Sequence, residues 1–219
     1  MSRNDDNSDG EKLSCETLAS LFEGSVEKCE SELAKLETLA RVLEEKDAYT
    51  QAHSSRVEIY AEIIANELGV DENARETIRK AAALHDFGKI GVPDEILTKP
   101  SKLTKEEIAV IRQHPKIAAQ VLERLLYPKD CVNFVYHHHE WFNGEGYPTR
   151  RSGEEIPLGA RVIAVADAYD AMTSNRPYRK AISSKRAEHE LLDCSGSQFD
   201  PDVVKAFCNA HKRGKLKTE

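Results

Sequence analysis

The residues of this chain that are best suited to chemistry are histidines and aspartates set among apolar residues. Residues 81–93 read AAALHDFGKIGVP, so that His85 and Asp86 follow a short apolar run and Lys89 comes shortly after them. An imidazole and a carboxylate buried together are costly unless something positive neutralises them, and a metal ion would do so. For an isolated His-Asp pair, hydrogen bonds to the backbone are the favoured interpretation, so the case for a metal depends on the rest of the chain.

More residues of these two types lie in apolar surroundings elsewhere in the chain. They stand on different predicted helices, so only the tertiary fold can bring them together. The full set is His53, His85, Asp86, His114, His138, His139 and Asp167. So many nitrogen and oxygen ligands exceed the need of one ion and suit two divalent cations that share a bridging carboxylate. No cysteine belongs to the set, which argues against a structural zinc site, while iron, manganese, nickel and zinc all stay open.

The elements that must position these residues are predicted to be helices joined by short connections. Thr104 and Glu107 have the spacing of a capping box, and Asp200-Pro201 has the residues of an N-cap and a first helical position. No convincing strand is present, so the predicted fold class is all-α. Gly91 to Leu103 is predicted to be a loop, Lys89 to leave the preceding helix on a loop, and the helices to cover 53–68, 74–87, 104–114, 115–125, 131–140, 158–173 and 201–212.

The N-terminal stretch has a different pattern from the remainder. Residues 1–13 are polar and are predicted to form a disordered tail, and residues 213–219 a second polar tail. Within 14–46, apolar residues recur in steps of four and three from Cys15 to Leu43, which predicts an amphipathic N-terminal helix. Such a helix is predicted to form a homodimer through residues 15–43, although its acidic flanking residues disfavour a parallel one. The alternatives are packing on its own domain or in an antiparallel pair.

Composition limits the classes of partner. The formal net charge of −7 argues against nucleic-acid polymers and anionic membranes, so a phosphorylated ligand would need local positive charge or metal. The five cysteines are odd in number and scattered, which indicates reduced thiols. No apolar run approaches a signal peptide or a membrane span, so a cytoplasmic location is expected.

An ordered series of motifs between about Asp47 and Phe207 resembles the HD-GYP family, a branch of the HD-domain metal phosphohydrolases. A lone His-Asp pair is weak evidence, but the ordered set is specific. The motifs are His53-Ser-Ser-Arg56, His85-Asp86-x-Gly88-Lys89, His114-Pro115, His138-His139-Glu140, Gly144-x-Gly146-Tyr147-Pro148, Ile156-Pro157-Leu158, Asp167-x-x-Asp170 and Arg176-Pro177-Tyr178. The resemblance implies an HD-domain-like helical bundle, with the catalytic domain at 47–212.

The resemblance also implies an activity and its cofactors. A family member would be a phosphodiesterase that cleaves cyclic di-GMP to pGpG and in many members to GMP, by a hydroxide that bridges two metal ions. Tyr49 occupies the position at which some members carry a glutamate for a third metal, so two ions are expected, iron or manganese with nickel or zinc as alternatives. One ion would be held by His53, His85, Asp86 and Asp167, and the other by His114, His138 and His139, with Asp86 bridging.

Roles for other residues follow from the same resemblance. Lys89 would act beside Asp86 in catalysis by neutralising charge on the phosphoryl oxygens, and Lys89, Tyr147 and Arg176 would contact the substrate. Asp170, one turn after Asp167, would orient a ligand or water. Three further histidines fall outside the family pattern and are predicted to lie on the surface or on helix faces: His137, His189 and His211.

The sequence departs from the family in its loops and leaves two alternative functions open. Asn143 replaces a usual aspartate, and Arg150-Arg151 replaces a common Gly-Leu pair, which puts substrate preference in doubt. One alternative is an HD phosphohydrolase that acts on another cyclic dinucleotide or nucleotide. The other is a non-catalytic module that binds metal and ligand and signals through partner proteins.

Overall fold

A computed structural model describes residues 53–175 and 180–216 of the chain. These residues form α-helices and two short 3₁₀ helices, at Phe87–Gly91 and Gly153–Glu155, with a single isolated β-bridge between Ser195 and Phe199. The predicted all-α class is therefore confirmed. The α-helices are α1 (His53–Glu67), α2 (Glu72–Leu84), α3 (Asp94–Leu97), α4 (Lys105–Ile111), α5 (His114–Arg124), α6 (Lys129–His137), α7 (Leu158–Thr173), α8 (Ser184–Asp193) and α9 (Pro201–Lys212).

Several predictions lie outside the described residues. These are the tail at 1–13, the N-terminal helix at 14–46 with its dimer interface, Tyr49, Arg176 and the last residues of the tail at 213–219. None of the described helices is long and apolar enough to cross a lipid bilayer.

Local capping explains where several helices begin. The Asp71 carboxylate accepts a hydrogen bond from the backbone N–H of Ala74 at the start of α2. The predicted capping box of α4 is present, because Thr104 and Glu107 each accept a hydrogen bond from the backbone of the other. Asp200 caps α9 as predicted.

The end of α2 differs from the prediction. The helix ends at Leu84 rather than 87, and His85 and Asp86 lie in the turn that follows. The reason is a side chain: Nδ1 of His85 lies 2.7 Å from the carbonyl oxygen of Ala82, the acceptor that the N–H of Asp86 would need to continue the helix. Lys89 then lies in a 3₁₀ helix rather than on a loop.

Other boundaries were also wrong. The predicted loop at 91–103 contains α3, α4 ends at Ile111 before His114, and α8 had not been predicted. His114 and Pro115 instead open α5, where proline is tolerated because the first N–H groups of a helix have no intrahelical acceptor.

Helix α7 lies at the centre of the described domain. It contacts α1, α2, α6, α8 and α9. Val162, Ile163, Val165 and Ala166 are fully buried on it, as expected of a helix that is apolar on nearly every side. Asp167 and Asp170 are therefore carried into the middle of the domain by the surrounding apolar residues of their own helix.

Candidate metal centre

Two clusters of metal-ligating side chains lie where α1, α5 and α7 meet the ends of α2 and α6. The first, called here the mixed group, consists of His53, His85 and Asp86, and the second, the imidazole group, consists of His114, His138 and His139. Within each group the ligating atoms lie within 4.8 Å of one another. The structure thus brings together six of the seven predicted ligands, and it places the seventh, Asp167, with Oδ1 3.4 Å from Nε2 of His53.

The backbone fixes the proton position on three of the imidazoles. Nδ1 of His85, His114 and His138 lies 2.7, 2.8 and 2.7 Å from the carbonyl oxygen of the residue three positions earlier. Because a carbonyl oxygen can only accept, each neutral ring carries its hydrogen on Nδ1 and a lone pair on Nε2.

These lone pairs point at one another. Nε2 of His114 and Nε2 of His138 are 3.4 Å apart, and Nε2 of His85 is buried without a hydrogen-bond partner. Two lone pairs cannot hydrogen-bond each other, and a buried acceptor without a partner costs free energy. A cation at each group would satisfy these nitrogens, so the donor set fits divalent metal ions.

Asp86 lies between the two groups. Its Oδ2 is 3.8 Å from Nε2 of His53 and 3.6 Å from Nε2 of His85, and its Oδ1 is 3.4 Å from Nε2 of His114. One carboxylate therefore presents an oxygen to each group. Nζ of Lys89 lies 2.6 Å from Oδ2 of the same carboxylate.

His53 is held from behind by an ion-paired carboxylate. Its Nδ1 lies 2.7 Å from Oδ2 of Asp170, whose Oδ1 accepts a hydrogen bond of 2.5 Å from Nε of Arg56. This bond leaves Nε2 of His53 facing Asp86 and Asp167. Carboxylates that fix the far nitrogen of a histidine ligand are a common support for metal sites.

The electrostatics of the two groups are opposite. Burial lowers the pKa of His53, but its bonds to Asp167 and Asp170 outweigh burial and raise the pKa to about 10. Burial, with His114 nearby, lowers the pKa of His139 to about 3, and burial also lowers the pKa of His114 and of His138. Without metal, the mixed group therefore holds a proton at neutral pH and the imidazole group does not.

The carboxylates of the centre are ionised. Burial alone would raise the pKa of Asp86, yet Lys89 and the imidazoles of His85, His114 and His53 hold it well below its usual range. The pKa of Asp167 is likewise lowered, because its bond to His53 outweighs burial. Ionised carboxylates are the form that a cation requires.

Tyr147 lies against the imidazole group, as part of the Gly144–Pro148 loop. Its ring stacks on that of His139, with the two centroids 4.8 Å apart. The guanidinium carbon of Arg112 lies 5.0 Å from the centroid of the Tyr147 ring, in a cation–π contact. The backbone N–H of Tyr147 also donates to the carbonyl oxygen of His139. The stack buries most of the tyrosine and raises its pKa.

His137 corrects one prediction and leads to a connection that the sequence did not reveal. It was expected on the surface or a helix face but is buried, because Glu140 and Thr149 provide polar contacts for it, at 3.6 and 3.4 Å. Oε1 of the buried Glu140 accepts hydrogen bonds from the backbone N–H and hydroxyl of Thr149, at 2.6 and 2.7 Å. Glu140 thereby ties the end of α6 to the loop that carries Tyr147. His189 is exposed as expected, and His211 pairs with Glu188 at 3.0 Å.

Three residues around the centre were assigned no role from the sequence: Arg56, Arg112 and Glu140. Only Arg56 had a usable signal, since it follows His53 by three residues and so shares its helix face. The contacts of Arg112 and Glu140 depend on the fold of the loop at 144–149. Arg176, predicted to contact substrate, lies outside the described residues.

Comparisons with known proteins agree with this geometry. The chain is 40% identical over 180 residues to the cyclic di-GMP phosphodiesterase response regulator RpfG of Xanthomonas campestris, covering 81% of this chain and 48% of that protein. It is 36% identical over 170 residues to the 3'3'-cGAMP-specific phosphodiesterase 3 of Vibrio cholerae, covering 78% and 37%. The chain thus spans about half or less of the length of the curated relatives it matches.

Solved structures show the same fold. The cyclic GMP-AMP specific phosphodiesterase V-cGAP3 of V. cholerae superposes with a TM-score of 0.66 at 18% sequence identity, covering 84% of this chain and 49% of that one. The predicted HD-domain-like helical fold is therefore confirmed. The model of the family described as HD domain matches residues 37–203, which is most of the sequence. The chain belongs to the HD domain family, and its motifs are of the HD-GYP type.

Proposed function

We propose that this chain is a metal-dependent phosphodiesterase that hydrolyses cyclic di-GMP to pGpG, GMP or both. The observation that carries the proposal is the position of Asp86, which presents one oxygen to each of two groups of inward-facing imidazole nitrogens. Such an arrangement suits two cations, both of which Asp86 would help to hold. The names of the relatives described above support the choice of substrate.

Two divalent ions, iron or manganese with nickel or zinc as alternatives, would be held by the residues of the two groups. His53, His85, Asp86 and Asp167 would hold one ion, and His114, His138 and His139, with Asp86, the other. When bound, such ions supply Lewis acidity, which lowers the pKa of water and neutralises phosphoryl oxygens.

The side chains around the centre have separate tasks. The Nδ1 hydrogen bonds of His85, His114 and His138 keep the Nε2 lone pairs directed inward, so the ligands need no rearrangement before binding. Lys89, on Asp86, brings a positive charge to the place where negative charge builds on the phosphoryl group. The ring of Tyr147 stacks on His139 and would cover this side of the imidazole group.

Another cyclic dinucleotide is the alternative substrate, and one observation supports this alternative. The similarity to a 3'3'-cGAMP-specific enzyme is only slightly weaker than that to a cyclic di-GMP enzyme. An assay in which both dinucleotides are present together distinguishes these alternatives, because the substrate with the higher kcat/KM is consumed faster. Dimerisation through residues 15–43, signalling partners and a cytoplasmic location stay predictions.

The test is to purify the protein anaerobically, count its metals and follow dinucleotide turnover by chromatography. We expect about two metals per chain, since the donor set suits two ions, and loss of turnover in His85→Ala. His189→Ala is the matched control, because His189 is an exposed histidine away from both groups. Full metal content without turnover of either dinucleotide, in the iron, manganese and nickel forms alike, would contradict the proposal.

A further inference from the structure

We propose that Arg112 binds the second phosphate of the cyclic dinucleotide, the one that is not being cleaved, and so determines preference for substrates with two phosphates. This inference rests on the proposed function, because it assumes that a cyclic dinucleotide occupies the centre.

Arg112 lies beside the centre. It follows the last residue of α4 and precedes His114 by two positions. Its guanidinium carbon lies 5.0 Å from the centroid of Tyr147, and the Tyr147 ring lies 4.8 Å from that of His139. Arg112 is therefore separated from a candidate metal ligand by one aromatic ring.

Arg112 differs from the other positively charged side chains near the centre. Arg56 is bonded to Asp170, and Lys89 lies on Asp86, so both cations already face carboxylates. In the part of the chain that the structure describes, Arg112 makes no ion pair, and its recorded contact is with an aromatic ring. In a chain with a net charge of −7, an arginine beside the centre that faces no carboxylate is well placed for an anion.

The guanidinium group of Arg112 has N–H donors suited to a phosphate. Its N–H donors lie in the plane of the group, and among the described residues the guanidinium has a cation–π contact with Tyr147 rather than an ion pair. Arg112 itself is exposed, so an anion can reach it. A planar, positioned guanidinium binds phosphate through two parallel hydrogen bonds.

The position of Arg112 relative to the reacting atoms indicates which of the two phosphates it would bind. The scissile phosphate must lie against the Nε2 atoms and Asp86, whereas Arg112 contacts the ring of Tyr147, which in turn stacks on His139. A cyclic dinucleotide carries two phosphates on opposite sides of one ring. A guanidinium next to the centre, but outside it, therefore suits the second phosphate.

The test compares two substrates and two variants. Bis(p-nitrophenyl) phosphate has a single phosphate, so it uses the centre without needing Arg112. Arg112→Met keeps an unbranched side chain over Tyr147 and removes the charge, and we expect it to raise the KM for cyclic di-GMP about tenfold or more, as loss of a charged hydrogen bond does. We expect its kcat, and its activity on bis(p-nitrophenyl) phosphate, to stay within about twofold, because the reacting atoms are untouched.

Two further variants sharpen the result. Arg112→Lys keeps the charge without the paired donors and should restore part of the affinity. Arg124→Met, at the exposed end of α5, removes the same charge away from Tyr147 and should change neither substrate. Equal losses on both substrates, or no loss for cyclic di-GMP, would overturn the inference, since Arg112 would then act through packing or not at all.

Binding measured by calorimetry separates this inference from the proposed function. If the parent protein binds cyclic di-GMP without hydrolysing it, the phosphodiesterase proposal fails, while weaker binding by Arg112→Met still supports a phosphate contact. If Arg112→Met then binds as tightly as the parent, the inference fails by itself. Absence of binding by the metal-loaded parent would overturn both.

Discussion

The mixed group and the imidazole group lie side by side but are built differently. In the mixed group, His53 lies between three carboxylates, and its pKa is raised to about 10 despite burial. In the imidazole group, burial and neighbouring rings lower the pKa of His139 to about 3. The first group therefore binds a proton when no metal is present, and the second already has its lone pairs free.

The supports of the two groups differ as well. His53 is fixed by Asp170, a side chain far away in sequence that is itself ion-paired with Arg56. His114 and His138 are fixed by backbone carbonyl oxygens of their own local turns. A metal entering the mixed group must therefore displace a proton, whereas a metal entering the imidazole group need not.

The largest effect is expected at Asp86, which joins the groups. Asp86→Asn keeps the size of the side chain but removes the charge that faces both sets of nitrogens, so we expect turnover to fall by about a thousandfold or more, as when a group essential to the transition state is lost. Turnover and metal content measure it. Asp130→Asn, an exposed aspartate on α6, is the control. A variant that kept both metals and full turnover would show that the groups work independently.

The next effect separates the groups. Asp170→Asn weakens the support of His53 but touches no member of the imidazole group, so we expect the affinity of one ion to fall about 10- to 100-fold, the usual cost of losing such a support. Competition titration with a metal-binding dye should show one weakened and one unchanged site. Equal weakening of both sites would show that Asp170 supports both groups rather than the mixed group alone.

The pH dependence tests the opposite protonation of the groups. The raised pKa of His53 stabilises the metal-free fold at pH values below about 6.5, and this stabilisation is lost as the pH rises from 6.5 towards 10. The lowered pKa of His139 acts in the other direction, because the unfolded chain gains a proton first as the pH falls from 6.5 towards 3.

We therefore expect the unfolding free energy of the metal-free protein to be largest near pH 6.5, with a slope above it of up to about 1.4 kcal/mol per pH unit. Urea unfolding at a series of pH values measures this. Metal should flatten the alkaline side, since a bound cation replaces the proton on His53. If metal leaves the slope of the unfolding free energy above pH 6.5 unchanged, the proton responsible for that slope is not on His53.

The smallest effect concerns the loop beside the imidazole group. Glu140→Gln keeps an oxygen for Thr149 but weakens its bonds by removing the charge, so we expect kcat/KM to fall by only about two- to fivefold, as for one weakened charged hydrogen bond. Steady-state kinetics measure the change. Glu145→Gln, exposed on the same loop, should have no effect. A loss as large as that of Asp86→Asn would mean that Glu140 is part of the centre itself.

The sequence predicted most of the helices and the histidines and Asp86 that the structure groups together, and each failure has a physical cause. Helix α7 was predicted at Leu158–Thr173, its observed bounds, because Pro157 precedes an apolar run that is long enough to be unambiguous. The end of α2 was missed because the His85 side chain takes the place of a backbone donor. The contact of Arg56 with Asp170 was not predicted, because no pattern in one sequence pairs residues so distant.

Gly88 determines how much variation the centre can tolerate. The 3₁₀ helix that carries it lies so close to the start of α5 that a Cβ at this position would collide with the carbonyl oxygen of His114. The spacing between the turn that bears Asp86 and the residue that opens the imidazole group is thus set by contact between two backbones. No side-chain change elsewhere can compensate for added atoms there, so a library of all substitutions at position 88, selected for turnover, should return glycine alone.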